Sequence, residues 1–394
     1  MNTRAFSLVL VAMTLAGCAN YSGLDTQGKR LDANTLQTGK SLSGMTLSSA
    51  AWPTADWWKS LGDPQLDGLI QEALQNSPDM QVASARAHQA EAAAYAADAE
   101  RMPTLDASAG VSRSRLAKDQ DPRGEGDAYS TVRNIGASFN YNFDLWGGQR
   151  AAWEAALGEA RAAQVDQQAA RLTLAANVAK AYSDLGQAHI VHDLATEDLK
   201  RTRQLLTLSQ RRLSAGIDSQ YQYQQNQSLE ASSEASLIDA EKNLQSAKIA
   251  LAVLLGKGPD RGNEITRPHI LQASAVALPS VLPAELLGRR PDLVAARWRV
   301  EAASESIDAG KTTFYPNLNL SAAAGVESLL GNAMFGSTSR FFNVAPTISL
   351  PIFDGGRLRA DLDAKDADYD LAVAVQQEPG QGAGGSQRQP VPVA

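Results

Sequence analysis

Two periodicities take turns along this chain. Leu66, Leu69, Ile70, Ala73 and Leu74 recur at helical spacing, and Asp63-Pro64 ahead of them offers a capping carboxylate and a first-turn proline. Ala83, Ala87, Ala90, Ala94 and Ala97 then step by four and three, a stripe of small residues that lets a neighbouring helix pack close. After Pro103 the period drops to two. Leu105, Ala107, Ala109 and Val111 alternate with Asp106, Ser108, Gly110 and Ser112. A charged loop over roughly residues 113–133 follows, and then Ile135, Ala137, Phe139, Tyr141, Phe143 and Leu145 alternate with polar or small residues. These are two strands of about ten residues, the length and dyad pattern of a transmembrane β-strand. A soluble hairpin with one face on a core has the same alternation. Past Gly147-Gly148 the helical period returns from about Gln149 to Leu213, a span of about 100 Å if unbroken. Leu157, Val165, Leu172 and Ala179 step by eight and seven, and Leu199, Leu206 and Leu213 by seven, which is coiled-coil spacing. Gly216 breaks this helix, and a second one carries Leu229, Leu237, Leu244 and Leu251 back to Gly256-Lys257-Gly258-Pro259.

The pattern then restarts. Ser77-Pro78-Asp79-Met80 matches Arg290-Pro291-Asp292-Leu293, 213 residues later, and Met102-Pro103-Thr104-Leu105 matches Tyr315-Pro316-Asn317-Leu318 at the same offset. The small-residue stripe returns as Ala296, Val300, Ala303, Ile307 and Gly310. Leu318, Leu320, Ala322, Ala324 and Val326 make a third alternating strand. Phe342, Val344, Ile348, Leu350 and Ile352 make a fourth, and Phe143-Asp144 recurs as Phe353-Asp354. A nearly constant offset through helix, strand and turn is the mark of a tandem duplication.

Composition agrees with thin, alanine-packed helices. Of 394 residues only 6% are aromatic, and no proline occurs between Pro122 and Pro259. The formal net charge of −7 gives no footprint for nucleic acid, and a single cysteine excludes an intramolecular disulfide or a cysteine-based zinc site. That cysteine is Cys18. It follows a charged residue, Arg4, a short apolar run from Ala5 to Ala16, and Leu15-Ala16-Gly17. The run has the layout of a secretory signal and is too short for an ordinary membrane-spanning helix. Leu15-Ala16-Gly17-Cys18 resembles the bacterial lipobox, which makes Cys18 the expected lipid attachment site. By the same resemblance Ala19, in place of Asp, favours sorting to the outer membrane. No later run of 18 apolar residues exists, so a bilayer-spanning mature chain has to use β-strands.

The order of these features resembles one family. The lipobox is followed by Trp57-Trp58 and Asp63-Pro64-Gln65-Leu66. Asn76-Ser77-Pro78-Asp79 leads into the alanine helix, and Phe143-Asp144-Leu145-Trp146-Gly147 into the long one. Leu350-Pro351-Ile352-Phe353-Asp354-Gly355-Gly356 appears in the second repeat. From Met1 to about Gln377 the chain resembles the outer-membrane factor (TolC-like) family, and within it the lipoprotein NodT-type subunits of tripartite efflux pumps. The resemblance implies a mixed α+β membrane protein. Long α-helical coiled-coil hairpins form a periplasmic α-barrel, and two β-hairpins from each protomer of a homotrimer build a shared 12-stranded outer-membrane β-barrel. Four strands cannot close alone, since about eight is the minimum, so oligomerisation is also what the strand count demands. The implied role is a passive exit duct for small molecules such as drugs, working with a periplasmic adaptor and an inner-membrane pump. It implies no cofactor and no enzymatic chemistry. The residues expected to line the barrel strands are Leu105, Val111, Phe139, Tyr141, Phe143, Leu318, Leu320, Ile348 and Leu350.

The turn Arg212-Leu213-Ser214-Ala215-Gly216-Ile217 resembles the helical tip where adaptors dock, so Arg212, Leu213, Ala215, Gly216 and Ile217 are candidate contacts. The plain alternative is a helix cap with its usual hydrophobic contact. His189 and His192, three apart on a helix, could share a metal, but a solvated helix face accounts for them. Asp354-Gly355-Gly356 lacks the Gly-Lys-Ser/Thr end of a phosphate loop, and no Gly-x-Ser-x-Gly, HExxH or cysteine nucleophile is present. The expected organisation is a signal peptide over 1–17, a lipidated linker over 18–62, and a first repeat over 63–258 with its hairpin at 104–145 and helical hairpin at 149–256. A linker follows over 259–282, then a second repeat over 283–377 with its hairpin at 317–353, and a Gly/Pro/Gln-rich tail over 378–394. The second repeat lacks the returning long helices of the first, so the chain reads as a truncated copy. The other readings are a non-conducting remnant, a lipid-anchored coiled-coil scaffold of the envelope, or a soluble enzyme.

Overall fold

Prolines at positions 64, 78 and 291 fix the first-turn backbone angle of three helices and give up an N–H that has no intrahelical partner there. The computed structural model describes residues 21–28, 47–48, 56–115, 129–269, 278–279, 290–329 and 334–381. The elements are α1 (Pro64–Asn76), α2 (Pro78–Ala99), β1 (Thr104–Arg115), β2 (Tyr129–Phe143), α3 (Gly148–Ser214) and α4 (Gln220–Leu254). After them come α5 (Pro291–Thr312), β3 (Asn317–Ser328), β4 (Arg340–Ser349) and α6 (Arg357–Gln381). Helices α2 and α5 both have 22 residues, and β1 and β3 both have 12. Each pair starts at the same offset, Pro78 to Pro291 and Thr104 to Asn317. The caps after the hairpins also correspond. Asp144 accepts the backbone N–H groups of Gln149 and Arg150 at 3.1 and 2.9 Å, and Asp354 those of Gly356 and Leu358 at 3.0 and 2.8 Å. Those bonds hold the Asp354 carboxyl below the usual carboxylate range. Gly147 and Gly356, at φ of 76° and 91°, each turn the chain into the helix that follows.

Two compact units result, and they cut across the repeats. One gathers residues 1–32, 88–163 and 293–394; the other gathers 33–87 and 164–292. The reason is strand pairing. In the first unit the four strands form one antiparallel sheet in the order β1-β2-β3-β4, so its central pair joins a strand of each repeat. Beside the sheet, Ile307, Phe314, Leu358 and Leu362 form an apolar cluster. Tyr21 meets the Phe314 ring edge-on at 5.6 Å, and Asp370 accepts the backbone N–H groups of Gln27 and Gly28 at 3.0 and 2.7 Å. Close packing of α3 against α5 depends on absent side chains, since a Cβ on Gly158 would lie 2.9 Å from that of Ala302.

One group in this unit is poorly served. Asp366 is 7% exposed, and its Oδ2 has no hydrogen-bond partner. Burial pushes its carboxyl pKa up; Lys311 opposes this, and Asp363, Asp370 and Asp25 add to it. A raised folded-state pKa means a contribution to stability that is full below the unfolded value and is lost as pH rises through the folded one. Asp366→Asn is therefore expected to raise the thermal midpoint near neutral pH, with the gap closing in acid. Midpoints across a pH series check this, and a gap that widens on acidification overturns it.

The second unit is built on the helical hairpin α3–α4. Trp58 from a short 3-10 turn (Trp57–Leu61) and Leu66, Ile70 and Ala73 from α1 pack with Leu174, Val178, Tyr182 and Leu185 of α3 and with Leu251 of α4. Asp63 caps α1 by accepting the N–H groups of Gln65 and Leu66 at 2.8 and 3.3 Å. The Tyr182 hydroxyl donates to the other Asp63 oxygen at 2.7 Å and accepts from Gln65 Nε2 at 2.9 Å. Burial first, and the Asp63 bond second, push the Tyr182 phenol upward. The leucine seam of α4 is unevenly covered: Leu229 is exposed, Leu237 half-buried, and Leu244 and Leu251 buried.

Candidate functional site

Two places concentrate the predicted site residues: the wall of four strands and the turn between α3 and α4. Register decides what the wall can do. Leu105 pairs with Phe139, Phe139 with Ala322, and Ala322 with Val344; one step along, Tyr141 pairs with Leu320, and Leu320 with Pro346. Phe143, Leu318 and Ile348 form another row. Paired residues in an antiparallel sheet point the same way, so the alternation read on each strand merges into one apolar face. The opposite face carries Asp106, Ser138, Asn140, Asn142, Asn319 and Thr347. Leu105, Val111 and Ile348 are 75%, 72% and 72% exposed, so nothing among the described residues covers the apolar face there. Val111 sits near the loop end of β1, opposite Arg133. Leu350 is the exception among the predicted strand residues. Pairing stops at Ser349, because Pro351 has no N–H to extend the ladder and biases the residue before it.

The expected charged loop is shorter than the sequence suggested. Strand β1 continues through Arg113 to Arg115, and β2 begins at Tyr129 and includes Arg133. The signal was there, since these arginines keep the odd-numbered parity of Leu105 and Val111. Charge hides it, because arginine in an apolar register has the look of loop. The loop's central residues, 116–128, lie outside those described, as do Cys18, the signal peptide and the tail from residue 382 onward.

At the other site α3 ends in a Schellman turn. Gly216, at φ 74°, donates to the Leu213 carbonyl at 3.0 Å, and Ile217 donates to that of Arg212 at 2.9 Å. Arg212 Nε donates to Asp218 Oδ1 at 2.9 Å, and Ser219 opens α4 with a capping box to Gln222. The apolar side chains of this turn are largely uncovered. Ile217 is 64% exposed, Ala215 and Gly216 are exposed, and only Leu213 is half-buried. Behind the tip Arg203 bridges the helices to Glu230 and Glu234 at 3.1 and 3.3 Å.

The histidine pair differs from the expected solvated face, since both rings are half-buried. His189 Nε2 is buried without a partner, and burial, then Arg267 and Lys248, hold its pKa down. His192 has Asp193 and Glu241 at 3.7 and 4.0 Å. Among the described residues no cluster of His, Cys, Asp and Glu could hold a metal, and no helix is long and apolar enough to cross a membrane.

Comparison with known proteins places this geometry. The family profile described as "Outer membrane efflux protein" matches residues 69–257 and 282–384. The fusaric acid resistance protein FusA of Burkholderia cepacia is 37% identical over 373 residues, covering 93% of this chain and 69% of FusA. The crystal structure of the outer membrane protein VceC from Vibrio cholerae aligns with a TM-score of 0.76 at 34% identity, over 83% of this chain and 78% of VceC. The Campylobacter jejuni CmeC outer membrane channel aligns at 0.83 over 91% of this chain and 76% of CmeC; at 22% identity it speaks for the fold alone. With an apolar-faced strand wall and a long helical hairpin in one chain, this protein belongs to the outer membrane efflux protein family and has the fold of its TolC-like channels.

Proposed function

We propose that the chain is one protomer of a homotrimeric exit duct for small molecules such as drugs, assembled with a periplasmic adaptor and an inner-membrane pump. The observation that carries this is the sheet: one continuous apolar face, with β1 and β4 each paired on one side only among the described residues. Three such sheets joined edge to edge leave no open edge and turn the apolar face to lipid. The polar face then lines the water path. Exposed apolar side chains on the helical hairpin, Leu194, Leu208 and Ile238 among them, suit packing between copies in a periplasmic tube. Cys18 is the proposed acyl anchor to the outer membrane; two or more chains on it give stable attachment. The tip residues Arg212, Leu213, Ala215, Gly216 and Ile217 are the proposed adaptor contact, supported by an apolar side chain held outward by a rigid cap.

The test is assembly and conductance. The purified chain should run as a trimer on an unheated gel and conduct in planar bilayers; a lipidated monomer without conductance overturns the channel reading and leaves an anchored scaffold. Docking is tested separately. A photocrosslinker at position 217 should capture the adaptor in cells, while one at exposed Leu194 should not, and equal capture at both positions removes the tip from the interface.

A further inference from the structure

The joint inside the sheet carries information about its edges. Strands β2 and β3 come from different repeats and pair over Arg133–Phe143 against Leu318–Ser328. The outer strands β1 and β4 are the counterparts of β3 and β2 in the other repeat. Among the described residues each of them pairs on one side only, and Val111, Val344 and Ile348 on them are exposed.

The correspondence can be followed residue by residue. Thr104 matches Asn317, since each opens its strand directly after a proline at the common offset of the repeats. The hairpin registers carry the match across. Thr104 pairs with Asn140 and Asn317 with Ser349, so Asn140 matches Ser349. Counting back along each strand, Gly136 matches Ala345 and Gly325 matches Ser112. Gly136 and Gly325 face each other at the internal seam, where a Cβ on either would meet facing backbone. The same joint made at the open edges sets Ala345 opposite Ser112, again two small residues.

The neighbouring rows agree. Ile348 falls opposite Ala109, as Phe139 falls opposite Ala322 at the seam, a bulky side chain beside a small one. Thr347 falls opposite Gly110, as Ser138 falls opposite Ala323. The faces agree as well. Val344, Pro346 and Ile348, on the apolar face of β4, meet Arg113, Val111 and Ala109, on that of β1. A slip by one residue would set every apolar position against a polar one. Pro346 offers no N–H, which an edge strand tolerates.

We infer that a second copy of this chain completes each edge in one register: Val344–Ser349 of β4 runs antiparallel to Ser108–Arg113 of the next copy's β1, with Ala345 opposite Ser112. The inference rests on the barrel reading above and adds to it the residues of the joint between copies.

The experiment is disulfide trapping in the full-length chain carrying Ala345→Cys/Ser112→Cys, read as covalent dimer and trimer on a denaturing, non-reducing gel. Within one chain these positions lie on opposite edges of the sheet, so the bond requires a second copy. Directly opposed residues have Cα atoms about 4.5–5.5 Å apart, inside the disulfide range, and a two-residue slip moves them to about 7–8 Å. Trapping is expected to be at least about tenfold faster than in Asn343→Cys/Ser112→Cys or Thr347→Cys/Ser112→Cys, the two slipped pairs on the same face. Single variants set the background from Cys18. Asn343→Cys/Ser114→Cys, also in register, against Ala345→Cys/Ser114→Cys repeats the comparison and decides it should Ser112→Cys not assemble. Faster trapping of a slipped pair overturns the register. A conducting trimer that traps none of the pairs overturns the inference and leaves the channel intact, and a parent chain that forms no trimer overturns both.

Discussion

Trp58→Ala is expected to remove about 4 kcal/mol from the stability of the helical-hairpin unit, while Trp58→Phe removes about 1–2 kcal/mol. Trp58 is 1% exposed and packs into the cluster formed by α1, α3 and α4, so truncation to alanine leaves a void among Ile70, Val178 and Leu251. The indole Nε1 contributes no bond, since it is buried without a partner. Phenylalanine keeps much of the apolar contact and discards an unpaired N–H, which offsets part of the lost area. Urea midpoints from far-UV circular dichroism of the purified chain measure both. Equal losses would show that the N–H is satisfied after all, and that cavity formation does not dominate.

The second large effect is at the seam between the repeats. A Cβ on Gly325 would lie 2.4 Å from the Ile135 carbonyl oxygen and 2.7 Å from the Gly136 Cα, both backbone atoms that cannot swing aside. On the facing residue, Gly136, the nearest backbone atom would be 3.2 Å away. The Phe341 ring lies over both, 3.0 and 3.5 Å from the same two constructed positions, filling the gap the missing side chains leave. Gly325→Ala should therefore cost about 3 kcal/mol and deplete the proposed trimer, whereas Gly136→Ala costs about 1 kcal/mol. The trimer fraction on unheated gels, against temperature, reads the difference. A Gly136→Ala variant as damaged as Gly325→Ala would sink the explanation.

Much of this was legible in the chain itself. Alternation set the strand faces from Leu105 to Val111 and from Leu318 to Val326, and proline positions set the starts of α1, α2 and α5. The stripe through Ala87 and Ala94 is the buried side of α2. What stayed hidden needed either pairing or burial. The face on which Arg113 and Arg133 lie depends on register between strands, which a single strand does not reveal. Ile217 has two readings in the sequence, adaptor contact or ordinary cap residue, and its 64% exposure is what the sequence alone does not give. The lowered pKa of His189 comes from burial first and then from charges distant in sequence, Arg267 and Lys248. Leu350 was overcounted because alternation runs past the point where Pro351 ends hydrogen bonding.

The central pairing of Phe143 with Leu318 has a temporal side. The two strands flank the entire α3–α4 hairpin in the sequence, so their contact is among the most non-local in the chain. As an exported polypeptide emerges amino end first, the first β-hairpin is released long before its neighbour exists. During that interval an apolar strand face and an open edge travel together through an aqueous compartment, the combination most prone to aggregation. The yield of a chain built this way is expected to track the rate at which the second hairpin arrives.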